Sequence, residues 1–244
     1  MLMKFRLTLA LLVLIFAGLA CSLPASPSST AAGPSPTFPA PSSVTATPTP
    51  LTARHYFFEE EFTGDFLGWK TQVTSGDASL LDLATKDGYL VFDIGQKNLN
   101  ALAFFQAGAY KNVWIDLRVV NQGGTGYAMD LLCRYDNVQG WYQFEVFNSG
   151  LFNLYYMQWD SDMHPQATLL TKGGSNAMRP GAAPNDLTMI CKDRTLSLYI
   201  KGELVISYEE NQYALRAGQV GIGVSSFEEI PVVVKLDWMK LETP

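Results

Sequence analysis

The strongest constraint on this chain is its punctuation. From about residue 55 onward, apolar and polar residues alternate over short stretches, and Gly, Asn or Asp interrupts each one. A period of two is the side-chain spacing of a β-strand, whereas the period of an amphipathic helix is nearly missing. The stretches are HYFFEEEF (55–62), ASLLDLAT (78–85), YLVFDIG (89–95), ALAFFQAG (101–108), NVWIDLRVVNQ (112–122), GYAMDLLCRYD (126–136) and GWYQFEVFN (140–148). LFNLYYMQW (151–159), QATLLTK (166–172), DLTMICK (186–192), TLSLYIK (195–201), ELVISYE (203–209), GQVGIGVSS (218–226) and VVVKLDWMKLE (232–242) follow. Between them, TGDFLGW (63–69) reads as a turn carrying a buried tryptophan, GGSNAMRPGAAPN (173–185) as a polar loop and QYALRAG (212–218) as one helical turn.

So many short strands imply an all-β fold, with two antiparallel sheets packed face to face. No internal repeat of propeller or solenoid length is visible. The first strand and the last are expected to pair.

The N-terminus adds two further regions. Lys4 and Arg6 precede an apolar run from Leu7 to Ala20, the shape of a secretory signal over residues 1–20. The run is short for a membrane-spanning helix. Gly18-Leu19-Ala20-Cys21 resembles a bacterial lipobox, which implies lipidation of Cys21; ordinary secretion is the alternative. Residues 22–52 are almost entirely Pro, Ser, Thr and Ala, without a charge, so this segment is expected to be a disordered, extended stalk. One sandwich domain over 53–244 remains.

The formal net charge is −6, and it becomes more negative once a leader carrying Lys4 and Arg6 is removed. No basic run is present, which argues against nucleic acid as a partner. With Cys21 assigned to the signal, Cys133 and Cys191 form an even pair in an exported domain, and a disulfide between them is expected. A zinc site is poorly supported by two histidines, His55 and His164, and by the absence of closely spaced cysteines.

The hairpin DLLCRYDNVQGWYQFEV (130–146) has one apolar face, Leu131, Cys133, Tyr142, Phe144 and Val146. By parity its other face carries Asp130, Leu132, Arg134, Trp141, Gln143 and Glu145. The next strand adds Asn153, Tyr155 and Trp159 on a single parity.

CRYDNVQGWYQFEV, SGLFNLYY, NDLTMICKDRTLSLYIKGELV, GQVGIGV and VVVKLDWMKLE, with FTGDFLGW before them, resemble bacterial exported domains of the concanavalin A-like (laminin G/glucanase-like) jelly-roll family. The resemblance spans nearly all of 55–242. It implies a two-sheet jelly roll, a fold that hosts lectins, carbohydrate-binding modules, glycosidases and adhesion spacers, so function rests on the site.

Glucanases of this family use carboxylates alternating along one strand, and no such motif occurs here. Asp130 and Glu145 share parity across the hairpin and are the alternative catalytic pair, with a structural ion lattice including Arg134 as the plainer explanation. No Gly-x-Ser-x-Gly elbow is present, and NQGGTG lacks the helix that a phosphate cradle needs. Sugar binding needs aromatic platforms beside planar polar groups. Asp130, Arg134, Trp141, Gln143, Glu145, Asn153, Tyr155 and Trp159 supply both, and the resemblance places them on the concave sheet. The competing explanations are that this face is covered by loop 173–185 or that the domain is a structural or protein-interaction module. No cofactor is expected; Glu60, Glu61 and Asp237 are acids on terminal strands without a calcium-loop pattern. Trp69, Trp114, Trp238, Phe58, Phe92, Phe105 and Tyr199 read as core.

Overall fold

The computed structural model describes residues 57–122 and 126–244. The leader, Cys21, the Pro/Ser/Thr-rich segment and His55 lie outside the described residues.

Among the described residues, fifteen strands make two antiparallel sheets. In chain order the first eight are β1 (Phe58–Glu60), β2 (Trp69–Ser75), β3 (Leu81–Lys86), β4 (Tyr89–Ile94), β5 (Asn100–Phe105), β6 (Val113–Asn121), β7 (Tyr127–Asp136) and β8 (Gly140–Phe147). The rest are β9 (Leu151–Trp159), β10 (Pro165–Gly174), β11 (Asn185–Lys192), β12 (Thr195–Ile200), β13 (Glu203–Glu209), β14 (Gln219–Ser226) and β15 (Val232–Glu242). One sheet runs β13-β12-β11-β6-β15-β4-β3, with β1 also on β15; the other runs β10-β9-β8-β7-β14-β5-β2. The terminal strands pair as expected, Phe58 opposite Leu241.

Alternation sets which side chains go inside. On β6, Val113, Ile115, Leu117 and Val119 are buried, while Trp114, Asp116, Arg118 and Val120 are only partly so. Facing them across the sandwich are Met129, Leu131, Tyr142, Phe144, Leu154 and Ile222, and these residues form one continuous core. The β3–β4 and β12–β13 hairpins turn on Asp87-Gly88 and Lys201-Gly202. Both residues of each pair have positive φ, the geometry that matches the twist of adjoining strands. The expected disulfide is present: Cys133 on β7 is bonded to Cys191 on β11, so it joins the two sheets.

Three sequence expectations are corrected. β2 begins at Trp69, read as the end of a turn, and runs on through residues 70–75, where no strand is expected; it is a polar edge strand, so its faces differ little in hydropathy. QYALRAG forms no helix. Instead the Glu210 carboxylate accepts the backbone N–H groups of Gln212, Tyr213 and Ala214, and Ala214 takes a φ of +57°, which together hold the segment as an irregular turn. Trp114, Tyr199 and Trp238 are not core. They lie half-buried on the outer side of the first sheet, where Trp114 and Tyr199 have near-parallel rings and Arg118 sits over Trp238.

Candidate functional site

The second sheet buries residues on both of its faces. Every residue of β7 from Tyr127 to Arg134 is buried, because the outer face has an apolar cluster of its own. Leu102, Phe104, Leu132, Trp141 and Met157 form that cluster, with Tyr135, Tyr155 and Trp159 packed at its margin. Trp141 is 0% exposed and lies 4.9 Å from Trp159 and 5.4 Å from Tyr135 between ring centroids. It is therefore a floor rather than a free platform.

A polar chain crosses this floor. The Trp141 indole N–H donates to Gln143 Oε1 at 3.0 Å, and Gln143 Nε2 donates to Asp130 Oδ1 at 2.9 Å. The other Asp130 oxygen accepts from Asn100 Nδ2 at 2.8 Å and from the Ser225 hydroxyl at 3.1 Å. The Thr74 hydroxyl donates to Asn100 Oδ1 and completes the line from β8 to β2. Gly223 makes room for the chain. It stands opposite both Asp130 and Leu102, and a Cβ there would come within 2.5 Å of Leu102 Cδ2 and 2.6 Å of the Ala101 carbonyl.

Asp130 is fully buried. Burial first, and then the negative charge of Glu145, push its carboxyl up to about 7 from an ordinary 3.8, against the bonds from Ser225, Gln143 and Asn100. Glu145 is directly opposite on β8 and only half-buried. Asn153 Nδ2 donates to its Oε2 at 2.9 Å. Burial raises this carboxyl too, while the bonds from Asn153 and Tyr155 oppose the rise.

Above the chain lies a hollow of about 240 Å³, lined by Asn100, Trp141, Gln143, Glu145, Tyr155 and Ser225, with Leu102, Met157, Pro165 and Ala167 as its apolar part. Thus Asp130, Trp141, Gln143, Glu145, Asn153, Tyr155 and Trp159 are brought to one face. Four of them line the hollow, Asp130 lies beneath it, and Asn153 and Trp159 flank it. The strands that sequence reasoning left out are β2, β5 and β14, which contribute Thr74, Asn100 and Ser225. For Asn100 and Ser225 the available signal was a polar residue at the end of an otherwise largely apolar strand; Thr74, on the polar strand β2, gave none.

Arg134 is not part of this face. The β7–β8 register shifts between Cys133 and Asp136, and Arg134 has a φ of +56°, so parity fails there. Its guanidinium instead reaches the backbone carbonyls of Leu215, Lys111 and Asp193 at 2.9, 3.3 and 2.7 Å, fastening loops around β7. Loop 173–185 does not cap the hollow either. Ala177 and Met178 pack against the main core, and the Asn185 side chain pairs with the Arg179 backbone.

At the terminal strands, Glu61 and Asp237 line a separate hollow with Glu59, while Glu60 accepts the N–H of Phe62. Among the described residues, no group of three His, Cys, Asp or Glu side chains is placed to hold a metal ion.

No protein-family model and no curated protein matches this chain. Solved structures do. A Bacillus subtilis protein of unknown function with a galectin-like fold matches at 10% identity over 76% of this chain and 94% of that one, with a TM-score of 0.59. A mixed-linkage-glucan glycoside hydrolase of family 16 from Bacteroides ovatus matches at 10% identity over 76% and 99%, with a TM-score of 0.56. Carbohydrate-binding module CBM66 from Bacillus subtilis matches at 13% identity over 72% and 96%, with a TM-score of 0.52. At such identities the likeness is one of fold: residues 57–122 and 126–244 form a galectin-like, concanavalin A-like jelly-roll sandwich.

Proposed function

We propose that this jelly roll is a non-catalytic carbohydrate-binding domain. In this reading residues 1–20 are a signal peptide, 21–52 a stalk lipidated at Cys21, and 53–244 the binding domain displayed outside the cell. The binding surface is the hollow over Trp141, where Gln143, Glu145, Asn100 and the Tyr155 side chain offer hydroxyl-matching donors and acceptors beside an apolar floor. Similarity of fold to a carbohydrate-binding module and to glycoside hydrolases supports a glycan as the ligand class.

The observation that carries binding over hydrolysis is the state of Asp130. Hydrolysis of a glycosidic bond needs two carboxyl groups flanking it. Asp130 is fully buried, with both oxygens held by neighbours, so Glu145 is the one carboxylate lining the hollow.

A polysaccharide array that includes mixed-linkage β-glucan, β-1,3-glucan and mucin O-glycans tests the reading. The expected result is retention of the domain on at least one glycan, lost in Tyr155→Ala and Gln143→Ala, without release of reducing ends. Release of reducing ends that disappears in Glu145→Gln would establish the hydrolase instead.

A further inference from the structure

A second hollow, of about 440 Å³, opens on the same outer face where β2, β5, β7 and β14 reach the end of the sheet. Apart from Phe104 and Tyr135 of the outer apolar cluster, its lining takes no part in the site described above. Its lining is unlike the first: Lys70, Gln72, Gln106, Asn137 and Gln219 line it with Tyr135, together with Asp136, whose Oδ1 accepts the backbone N–H groups of Val138 and Gln139 in its own turn. Tyr135 is held in place. Its ring lies 3.9 Å from that of Phe104 between centroids, and its hydroxyl accepts the Trp159 indole N–H at 3.3 Å. Gln106 Nε2 donates to Gln219 Oε1 at 3.3 Å, which leaves the Gln219 amide nitrogen and the Gln106 carbonyl oxygen available. Among the described residues, Lys70, Gln72 and Asn137 show no side-chain hydrogen bond. Four carboxamides and one immobilised ring therefore face a cavity with most of their polar capacity unspent. Carboxamides offer a donor and an acceptor in one plane, which matches vicinal hydroxyls.

The two hollows adjoin. Leu102 lines one and Phe104 the other, two residues further along β5; Thr74 and Gln72 repeat the relation on β2. Two residues of strand span about 6–7 Å. Trp141, the floor of the first hollow, lies 5.4 Å from Tyr135, a wall of the second.

We infer that the amide-lined hollow is a second subsite for a neutral, hydroxyl-rich chain. The natural ligand is then an extended oligosaccharide running along β2 and β5, rather than a single terminal sugar. The inference rests on the carbohydrate-binding reading above.

The test is calorimetric titration of the whole chain with size-fractionated fragments, from disaccharide to hexasaccharide, of mixed-linkage β-glucan and of each other polysaccharide that the array retains. Affinity should rise with length. Gln219→Ala and Asn137→Ala should each weaken the hexasaccharide about tenfold while leaving the disaccharide unchanged. Asn137 is exposed in the β7–β8 turn, so its variant keeps the fold. If disaccharide and hexasaccharide bind alike, or both variants bind the hexasaccharide as well as the parent does, the second subsite is refuted and the first reading survives. If neither fragments nor parent polysaccharides bind, both are refuted.

Discussion

Asp130 and Glu145 stand directly opposite each other on β7 and β8, yet only Glu145 lines the hollow. Asp130 is sealed under Gln143, Asn100 and Ser225. A cross-strand pair of acids has been divided into a buried brace and a groove wall.

The brace has a pH signature. Asp130 titrates at about 7 in the folded chain, against 3.8 for an ordinary aspartate. Between those values the folded state keeps a proton that the unfolded chain has released, so stability falls as pH rises through that window. The thermal midpoint is expected to drop from pH 4 toward pH 7 by an amount that Asp130→Asn largely removes. The variant is also less stable at low pH, because an amide nitrogen replaces one acceptor among three donors. An identical pH slope in both proteins would contradict this assignment.

Trp141 is a structural residue first. Trp141→Ala empties the space between Leu102, Phe104, Leu132 and Met157, and is expected to cost about 3–5 kcal/mol in urea unfolding. Trp141→Phe keeps most of the packing, loses the N–H bond to Gln143, and costs less. Lost sugar binding in Trp141→Ala would thus follow from a damaged floor. Tyr155→Ala probes the groove without removing that floor.

Glu210 organises the segment after β13. Its carboxylate accepts from the Tyr142 hydroxyl at 2.5 Å and from three consecutive backbone N–H groups, and the same hydroxyl accepts the N–H of Leu215 at 3.1 Å. Burial alone would raise this carboxyl, but the bonds from Tyr142, Tyr213, Ala214 and Gln212 outweigh it and hold it below the ordinary 4.5. Its contribution is present above that value and is lost as pH falls through the lowered one. Glu210→Ala strands four donors and is expected to cost about 3 kcal/mol, with Glu210→Gln milder. Faster amide exchange at Tyr213, Ala214 and Leu215 reports the same event; unchanged exchange would refute it.

Removing the disulfide with Cys133→Ser and Cys191→Ser together is expected to cost about 2–5 kcal/mol in chemical denaturation. Each single change should cost about as much as the pair. Clearly additive single effects would mean that the two sulfurs act independently.

Period two was enough to find nearly every strand, because in most of them one face packs in the core and the other does not. It failed at β2, an edge strand whose residues are nearly all polar. Parity correctly grouped Asp130, Gln143 and Glu145, since no bulge separates them from the strand interior. It misplaced Arg134, where one residue with positive φ ends the alternation. Nor can alternation tell a side chain buried between sheets from one buried on the outside of a sheet. Trp141 belongs to the second kind, while Trp114 and Tyr199, read as core, are half-exposed. The contribution of Asn100, Ser225 and Thr74 depends on β14 lying between β7 and β5, a long-range order that no local spacing encodes.

The Cys133–Cys191 bond also decides what a protease can take apart. It encloses β8, β9 and β10, one wall of the hollow, in a covalent ring, and leaves β2, β5 and β14 outside. A cut in the exposed turn at 161–164 falls within the ring, so both fragments stay linked and carry the hollow between them. A cut at the exposed Lys97-Asn98 turn falls outside it and leaves the fragment carrying β1 to β4 with no covalent link to the rest. Tolerance to nicking should therefore differ sharply between two exposed loops.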